Sequence, residues 1–367
     1  MKTSQSLKAV IIIGLCVLCV VSCGDSNGND DDDDSATETC DCSSSATVEK
    51  SGLVLSLADQ DEETPANVSV LFKVETDNDE PVIDLNVSNV RIFEDGESIS
   101  EYESQLAILP KPGKFTSYTL LLLDLSGSVL ESESLPELKK AAEGFVNAMM
   151  PDPGDDDFGE IEIGIWWFDG ATNIHQLASF TTDSYRLITE IDTIDENISS
   201  DSSTNLYGAV IQGIDRVENL ADEKENSISV GSLVIFTDGK DQAGRKTKEV
   251  ALNAVDNADE DISVYSIGLG GEIDEPTLKL IGRDDFVFAE DIDELVTQFE
   301  KIANNIREDV KSYYLLEYCS PKRKGSHDLK ISVMHEDPVT QDTLSGSMTT
   351  CFCAEGFKGG CEVSVDN

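Results

Sequence analysis

The sequence predicts an α/β domain with a doubly wound, mostly parallel sheet, inserted into a β-sandwich that is formed by the N- and C-terminal flanks. Strand-like and helix-like segments alternate between residues 115 and 311, which is typical of parallel strands joined by helical crossovers. The flanks, residues 51–114 and 312–350, contain short β-rich segments separated by turn residues. Since neither flank has enough strands to close a sandwich alone, we expect the two to combine.

The N-terminal flank has the alternation of half-buried strands. Val68, Val70, Phe72 and Val74 are separated by polar or mixed residues, and Asp95–Gly96 is a hairpin-turn dipeptide between two strand-like runs. In the C-terminal flank, strands are predicted at 312–319, 327–335 and 345–352.

In the α/β domain, apolar runs typical of buried strands alternate with amphipathic segments typical of helices. The last helix is amphipathic, because Ile292, Leu295, Phe299, Ile302 and Ile306 recur with a period near 3.6 residues. Strands are predicted near 117–124, 160–168, 231–237, 262–268 and 285–289. Helices are predicted near 134–150, 183–193, 205–220, 246–258 and 291–311.

Oxygen-bearing side chains follow two of the buried strands. Asp124, Ser126 and Ser128 alternate at the end of the first strand, and an extended backbone would point them to the same side. Asp238 follows a second buried strand, and Thr204 lies just ahead of a helical pattern. Because parallel strands end at one edge of a sheet, where ligands bind, these residues predict a site for a hard cation such as Mg²⁺.

The segments DLSGS, STNLYGA and FTDG resemble the metal-ion-dependent adhesion site of von Willebrand factor type A domains, which have a Rossmann-like fold. The family pattern is DxSxS, then a Thr, then an Asp, and Asp124, Ser126, Ser128, Thr204 and Asp238 match it one by one. The resemblance implies that the serines and either the Thr or the second Asp contact the metal. It also implies Mg²⁺, or Mn²⁺ or Ca²⁺, with one position open for a partner's carboxylate.

The order of the segments resembles a known arrangement as well. The stretch VETDNDEPVIDLNVSNVRIFEDGESI, then the type A domain at 115–311, then YYLLEY is similar to a bacterial subfamily whose β domain is built from both flanks.

Each site residue also has a structural alternative. Asp124 would serve as a turn residue at a strand end, and Ser126 and Ser128 would serve as helix N-caps. Ser203 is a rival for the role of Thr204, although the family's spacing to the following helix favours Thr204.

Residues 1–22 have the features of a lipoprotein signal peptide. Lys2 and Lys8 provide a basic start, and Ala9–Val21 is an apolar stretch too short to span a bilayer comfortably. The sequence VVSC ending at Cys23 resembles the lipobox of bacterial lipoproteins, which implies that Cys23 carries a lipid. Secretion without a lipid is the alternative, and either route exports the mature chain.

Residues 23–50 predict an acidic linker. The stretch is polar, charged and nearly free of apolar residues, so it cannot bury enough surface to fold. In some bacteria an acidic stretch after the lipidated Cys resembles a surface-export signal. We therefore expect a protein anchored through the lipid on Cys23 rather than a transmembrane helix, at the outer membrane or cell surface rather than the inner membrane.

The cysteines predict disulfides in an exported chain. Of the 9, Cys16 and Cys19 fall in the leader and Cys23 would be acylated. An even number then remains, which favours disulfides, with a zinc site as the alternative. If the C-terminal strands pair, Cys319 can bond to Cys351, and Cys353 to Cys361 within a Cys-rich tail at 351–367; Cys40 and Cys42 have no assigned partner.

Composition and charge make several classes of function unfavourable, namely nucleic-acid binding, binding to anionic lipids and nucleophilic catalysis. The formal charge of −47 repels nucleic acid and anionic lipid headgroups, and none of the 3 histidines lies in a recognisable nucleophile motif. The sequence therefore predicts a non-enzymatic, adhesion-type module that binds an Asp or Glu of a protein partner through its metal. The alternatives are a structural or assembly factor of the envelope whose metal does not bridge, and a metal-dependent hydrolase.

Overall fold

The fold was obtained as a computed structural model, which describes most of the chain after residue 39. The described residues are 40, 42, 46–102, 104–109, 115–131, 134–155, 157–222, 228–259, 261–271, 273–338 and 340–361. The predicted leader, Cys23 and most of the predicted acidic linker lie outside them. In the described ranges, no helix has the length and apolar character needed to cross a membrane.

Strands alternate with helices only in the middle of the chain. The strands are β1 (Thr47–Ser51), β2 (Leu53–Glu63), β3 (Asn67–Thr76), β4 (Val90–Glu94), β5 (Glu97–Ser98), β6 (Ala107–Leu109), β7 (Phe115–Asp124), β8 (Ile161–Phe168), β9 (His175–Thr181), β10 (Ile228–Thr237), β11 (Ile262–Leu269), β12 (Asp285–Ala289), β13 (Tyr313–Cys319), β14 (Ser326–Glu336) and β15 (Thr343–Cys353). The helices are α1 (Gly127–Leu130), α2 (Ser134–Met149), α3 (Ser184–Asp192), α4 (Leu206–Asp222), α5 (Lys248–Asp256), α6 (Glu275–Ile281) and α7 (Ile292–Lys311).

The central sheet has the order β12-β11-β10-β7-β8-β9, and every pairing in it is parallel except that of β9 with β8. Side chains of β7 alternate between two cores, because Leu121 and Leu123 pack with α2, α3 and α7, whereas Leu120 and Leu122 pack with α4, α5 and α6. A sheet covered on both faces explains why its strands are continuous apolar runs. The predicted doubly wound α/β fold is confirmed.

The register of the central strands brings three strand ends together. Leu123 of β7 pairs with Phe236 of β10, and Asp124 pairs with Phe168 of β8. The residues that follow these strands therefore meet at one edge of the sheet, as expected for parallel strands.

The flanks form two antiparallel sheets around one shared core. One sheet has the order β1-β15-β14-β4-β5 and the other β2-β3-β13-β6, so each combines strands from before and after the α/β domain. The prediction that the two flanks combine is confirmed. Between the sheets, the fully buried Glu94 accepts a 3.0 Å hydrogen bond from the hydroxyl of Tyr318, and burial raises the pKa of Glu94.

The predicted disulfide pairings are wrong. The bonds formed are Cys40–Cys353, Cys42–Cys351 and Cys319–Cys361. Cys319 ends β13, which lies in a different sheet from β15, so Cys319 and Cys351 are not on neighbouring strands. Cys40 and Cys42 precede β1, which pairs with β15, and this places them beside the end of β15. Because all of these thiols are oxidised, the zinc alternative is also wrong.

Candidate metal centre

Asp124 ends the central strand β7 with its side chain fully buried. Its Oδ1 accepts a hydrogen bond from the backbone N–H of Ser126 at 3.0 Å, and its Oδ2 accepts one from the hydroxyl of Thr237 at 2.6 Å. Burial raises the pKa of Asp124 to about 7; the hydrogen bond from Thr237 opposes that rise and the neighbouring Asp238 adds to it. Asp124 therefore both shapes the turn after β7 and presents a carboxylate that binds protons readily.

The hydroxyls of the two serines that follow lie close to each other, and that of Ser128 also contacts Asp238. Ser126 occupies the N-cap position of α1, yet its side chain makes no capping hydrogen bond. Its Oγ lies 3.3 Å from the Oγ of Ser128, and Ser128 donates a 2.7 Å hydrogen bond to Oδ1 of Asp238. The capping alternative for Ser126 is wrong, and its hydroxyl is directed at the other oxygen atoms of the site.

Three loops surround these oxygen atoms: the first loop (residues 124–130), the second loop (199–205) and the third loop (237–247). Gly127 brings the first two together, because its N–H donates to the carbonyl of Ser202 at 3.0 Å. A Cβ on Gly127 would lie 2.7 Å from the Cβ of Ser202, closer than two carbon atoms can approach without movement. The glycine of DLSGS is therefore required by the contact with the second loop.

Thr204 is buried in the second loop, next to the third loop. Its Oγ1 is 3.9 Å from the position that a Cβ would take on Gly239, the residue after Asp238. The rival Ser203 instead donates its hydroxyl to Oδ1 of Asp201 at 2.7 Å. The geometry therefore favours Thr204 over Ser203 as the hydroxyl beside Asp238.

Asp169, which directly follows β8, supports the second loop and was missed in the sequence. Its carboxylate accepts hydrogen bonds from the N–H of Ala171 at 2.7 Å and from the hydroxyl of Ser199 at 2.6 Å, and its carbonyl accepts one from the N–H of Asn205 at 2.9 Å. The ring of His175 places Nε2 3.7 Å from the same carboxylate. An Asp at the end of a buried strand or directly after it, as with Asp124 and Asp238, was the signal available for finding it.

The side chains at this edge fit a hard divalent cation. Asp124 is buried beside a second carboxylate, Asp238, and such a pair is costly unless a proton or a cation neutralises it. Hydroxyl and carboxylate oxygens are the ligands that Mg²⁺ and Ca²⁺ prefer. Among the described residues, no group of three or more His, Cys, Asp and Glu side chains is arranged to hold a metal. The candidate site has only two carboxylates and relies on hydroxyls for the rest.

Comparison with known proteins identifies the central domain. Residues 120–302 match the family model of the von Willebrand factor type A domain. A search of curated proteins finds no match to the chain.

Several solved structures resemble the fold. The ArnB paralog VWA2 from Sulfolobus acidocaldarius is 14% identical, with a TM-score of 0.41 over 86% of this chain and 77% of that one. Proximal thread matrix protein 1 from the mussel byssus is 14% identical, with a TM-score of 0.43 over 53% of this chain and 49% of that one. The vWF domain of the type V pili tip protein Mfa5 from Porphyromonas gingivalis is 14% identical, with a TM-score of 0.42 over 53% and 95%. At these identities and scores the likeness concerns the fold and carries nothing about function.

Proposed function

Because residues 120–302 form a von Willebrand factor type A domain, we propose that the protein is an adhesion-type module that binds a protein partner through a divalent cation. The cation is Mg²⁺, or Mn²⁺ or Ca²⁺ in its place, and an Asp or Glu of the partner completes its coordination. The residues that would hold it are Asp124, Ser126, Ser128, Thr204 and Asp238. The observation that carries the proposal is that the hydroxyl of Ser128 contacts both the hydroxyl of Ser126 and the carboxylate of Asp238, beside the buried carboxylate of Asp124.

The composition of this ligand set explains why a partner's carboxylate would be captured. A bound cation would act as a Lewis acid whose charge is only partly neutralised, because most of its ligands are neutral hydroxyls. An incoming Asp or Glu then gains more than it would at a site made of carboxylates alone. Thr237 supports this role, since its hydroxyl donates to Asp124 and favours the ionised carboxylate that a cation requires.

We further propose that the protein works outside the cytoplasm, tethered through a lipid on Cys23. The leader and the lipobox-like VVSC sequence support export and lipidation. The disulfides support an oxidising compartment, because such bonds persist in exported proteins and are rare in the cytosol.

Affinity capture from an envelope extract tests the proposal. Wild type and Asp124→Ala are compared in Mg²⁺ and in chelator, with Asp256→Ala, at an exposed residue of α5, as the control for loss of an Asp. We expect a partner that is retained by the wild type and the control in Mg²⁺, and lost in chelator and with Asp124→Ala. A partner retained equally in all conditions would favour the assembly factor whose metal does not bridge, and turnover that disappears with Asp124→Ala would favour the hydrolase.

A further inference from the structure

A cluster of basic residues lies next to the candidate metal centre. Residues 240–248, which we call the basic loop, begin two positions after Asp238 and contain Lys240, Arg245, Lys246 and Lys248. The whole chain has only 26 Lys and Arg against 73 Asp and Glu. Four basic residues in so short a segment are therefore a local reversal of the charge that dominates the protein.

Backbone hydrogen bonds hold the basic loop against the residues that carry Thr204. The carbonyl of Thr204 accepts hydrogen bonds from the N–H of Gln242 at 2.8 Å and of Ala243 at 3.0 Å. The one acidic residue of the loop, Asp241, accepts hydrogen bonds from the N–H of Tyr207 at 3.2 Å and from the N–H of Gly244 at 3.1 Å. The loop is thus fixed beside the metal centre, and its own carboxylate is occupied by backbone donors.

Two of the four cations are used within the protein. Arg245 donates to the carbonyl of Gly170, and its guanidinium lies 3.6 Å from Asp201, a contact that contributes to the lowered pKa of Asp201 together with the stronger hydrogen bond from Ser203. Lys248 donates to the hydroxyl of Thr277 at 2.6 Å.

Lys240 and Lys246 differ from these two. Both are exposed, and in the described part of the chain neither forms a hydrogen bond or an ion pair, although the charge of Lys240 acts on Asp274 from a distance. Two exposed positive charges without a described hydrogen bond or ion pair therefore lie on the loop that follows Asp238 and is bonded to Thr204.

We infer that Lys240 and Lys246 select the partner: it presents an acidic protein segment, in which one carboxylate reaches the cation and neighbouring carboxylates pair with the two lysines. The inference rests on the proposed function, because the metal supplies the first contact. Complementary charges mainly raise association rates and set orientation. Since the chain carries a formal charge of −47, most of its surface would repel an acidic segment, whereas the basic loop would attract one.

Binding of two synthetic peptides to the full-length protein tests the inference. One peptide carries a single Asp in a Gly-Ser background, and the other, of equal length, carries a run of Asp. The variant is Lys240→Gln/Lys246→Gln, and the control is Lys301→Gln/Lys311→Gln, which removes the same charge from two partly exposed lysines of α7.

We expect the Asp-run peptide to bind the wild type more tightly than the single-Asp peptide in Mg²⁺ at low salt. The loop variant should lose about three- to tenfold of its affinity for the Asp-run peptide, as expected for two exposed charge pairs, and added salt should remove most of that difference. The single-Asp peptide should bind the loop variant and the wild type alike. The control variant should match the wild type with both peptides.

The outcomes separate this inference from the proposed function. If chelator abolishes binding of both peptides but the loop variant binds both like the wild type, the metal bridge stands and the acidic-segment inference is wrong. If the lysine substitutions abolish binding that chelator leaves unchanged, the metal bridge is wrong, and the inference is wrong with it, because no carboxylate of the partner then reaches a cation. Failure of both peptides to bind in Mg²⁺ contradicts both. A competition assay compares a sulfated polysaccharide with the unlabelled Asp-run peptide for displacement of the bound, labelled peptide. Displacement by the polysaccharide at a lower concentration than by the unlabelled peptide would contradict the inference that the partner is an acidic protein segment.

Discussion

The substitution Thr237→Val tests how the hydroxyl of Thr237 affects the ionisation of Asp124 and its binding of a cation. Thr237 is fully buried at the end of β10 and donates to Oδ2 of Asp124 at 2.6 Å. Valine keeps the shape of the side chain and removes the hydroxyl, which donates to Asp124 and accepts a 3.2 Å hydrogen bond from the N–H of Gly239. We expect Thr237→Val to weaken binding of Mg²⁺ at neutral pH, because the ionised carboxylate that a cation requires loses a hydrogen bond.

The size of the effect follows from the chemistry of the pair. A hydrogen bond to a charged acceptor contributes about 1.5–3 kcal/mol, and about 1.4 kcal/mol corresponds to a factor of ten. The proton affinity of Asp124 should therefore rise by about tenfold or more. Since the pKa of Asp124 is already about 7, the cation must then displace a proton from nearly every molecule, and we expect Mg²⁺ affinity at neutral pH to fall about five- to fiftyfold.

Calorimetric titration with Mg²⁺ at several pH values measures this effect. The matched control is Thr119→Val on β7, because Thr119 is equally buried but its hydroxyl has no hydrogen-bond partner among the described residues. The control should bind Mg²⁺ like the wild type. The loss in Thr237→Val should shrink as the pH rises, since protons then compete less. A loss that is the same at every pH, or equal in the control, would refute the proposed competition between proton and cation at Asp124.

Three further predictions concern the loops and the β-sandwich. Gly127→Ala should weaken Mg²⁺ binding by several-fold in the same titration, because its Cβ would displace the second loop; Gly271→Ala, which meets no atom within 4 Å, should not. The pKa of Glu94 is raised above its ordinary value of 4.5 in the folded protein, so the wild type should lose stability as the pH rises from about 4.5 to that raised pKa, and urea unfolding of Glu94→Gln should show a smaller loss over the same interval. Cys42→Ala/Cys351→Ala should lower the free energy of urea unfolding by about 2–4 kcal/mol, yet Mg²⁺ affinity measured by calorimetry should not change.

The central sheet could be predicted because its strands carry the signal in consecutive residues. The runs that became β7 and β10 are mostly apolar, which is typical of strands buried on both faces. Because such strands alternate with helices along the chain, a parallel sheet covered by helices on both faces is the arrangement they predict. The short helix α6 (Glu275–Ile281) and the edge strand β9 (His175–Thr181) were missed, because neither is long enough to show a clear period.

Pairings that depend on the finished fold could not be predicted. The disulfide partners of Cys319 and Cys351 depend on which of the two sheets contains β13. The residues of β13 and β15 do not indicate to which sheet each strand belongs. The role of Asp169 depends on Ser199, thirty residues away, through a hydrogen bond that exists only after both loops are placed. The candidate ligands themselves were accessible because a known family pattern links their positions.

The net charge of the sequence does not show how charge is distributed over the folded surface. A formal charge of −47 predicts repulsion of acidic ligands by the whole surface. The fold nevertheless holds the basic loop, with the exposed Lys240 and Lys246, against the backbone of Thr204, and the charge of that loop is opposite in sign to the total.

The bonds Cys40–Cys353 and Cys42–Cys351 decide how the protein would bear mechanical force. Tension on the chain ahead of Cys40 would pass through two covalent links into β15 before it reached β1, so such a pull would not peel β1 away from the sheet. At the other end, force from a ligand held by the α/β domain would enter the sandwich through the two connections of that domain, which follow β6 and precede β13, neighbouring strands of one sheet. The two disulfides therefore decide which strand would first carry a pull on the chain ahead of Cys40, namely β15 and not the edge strand β1.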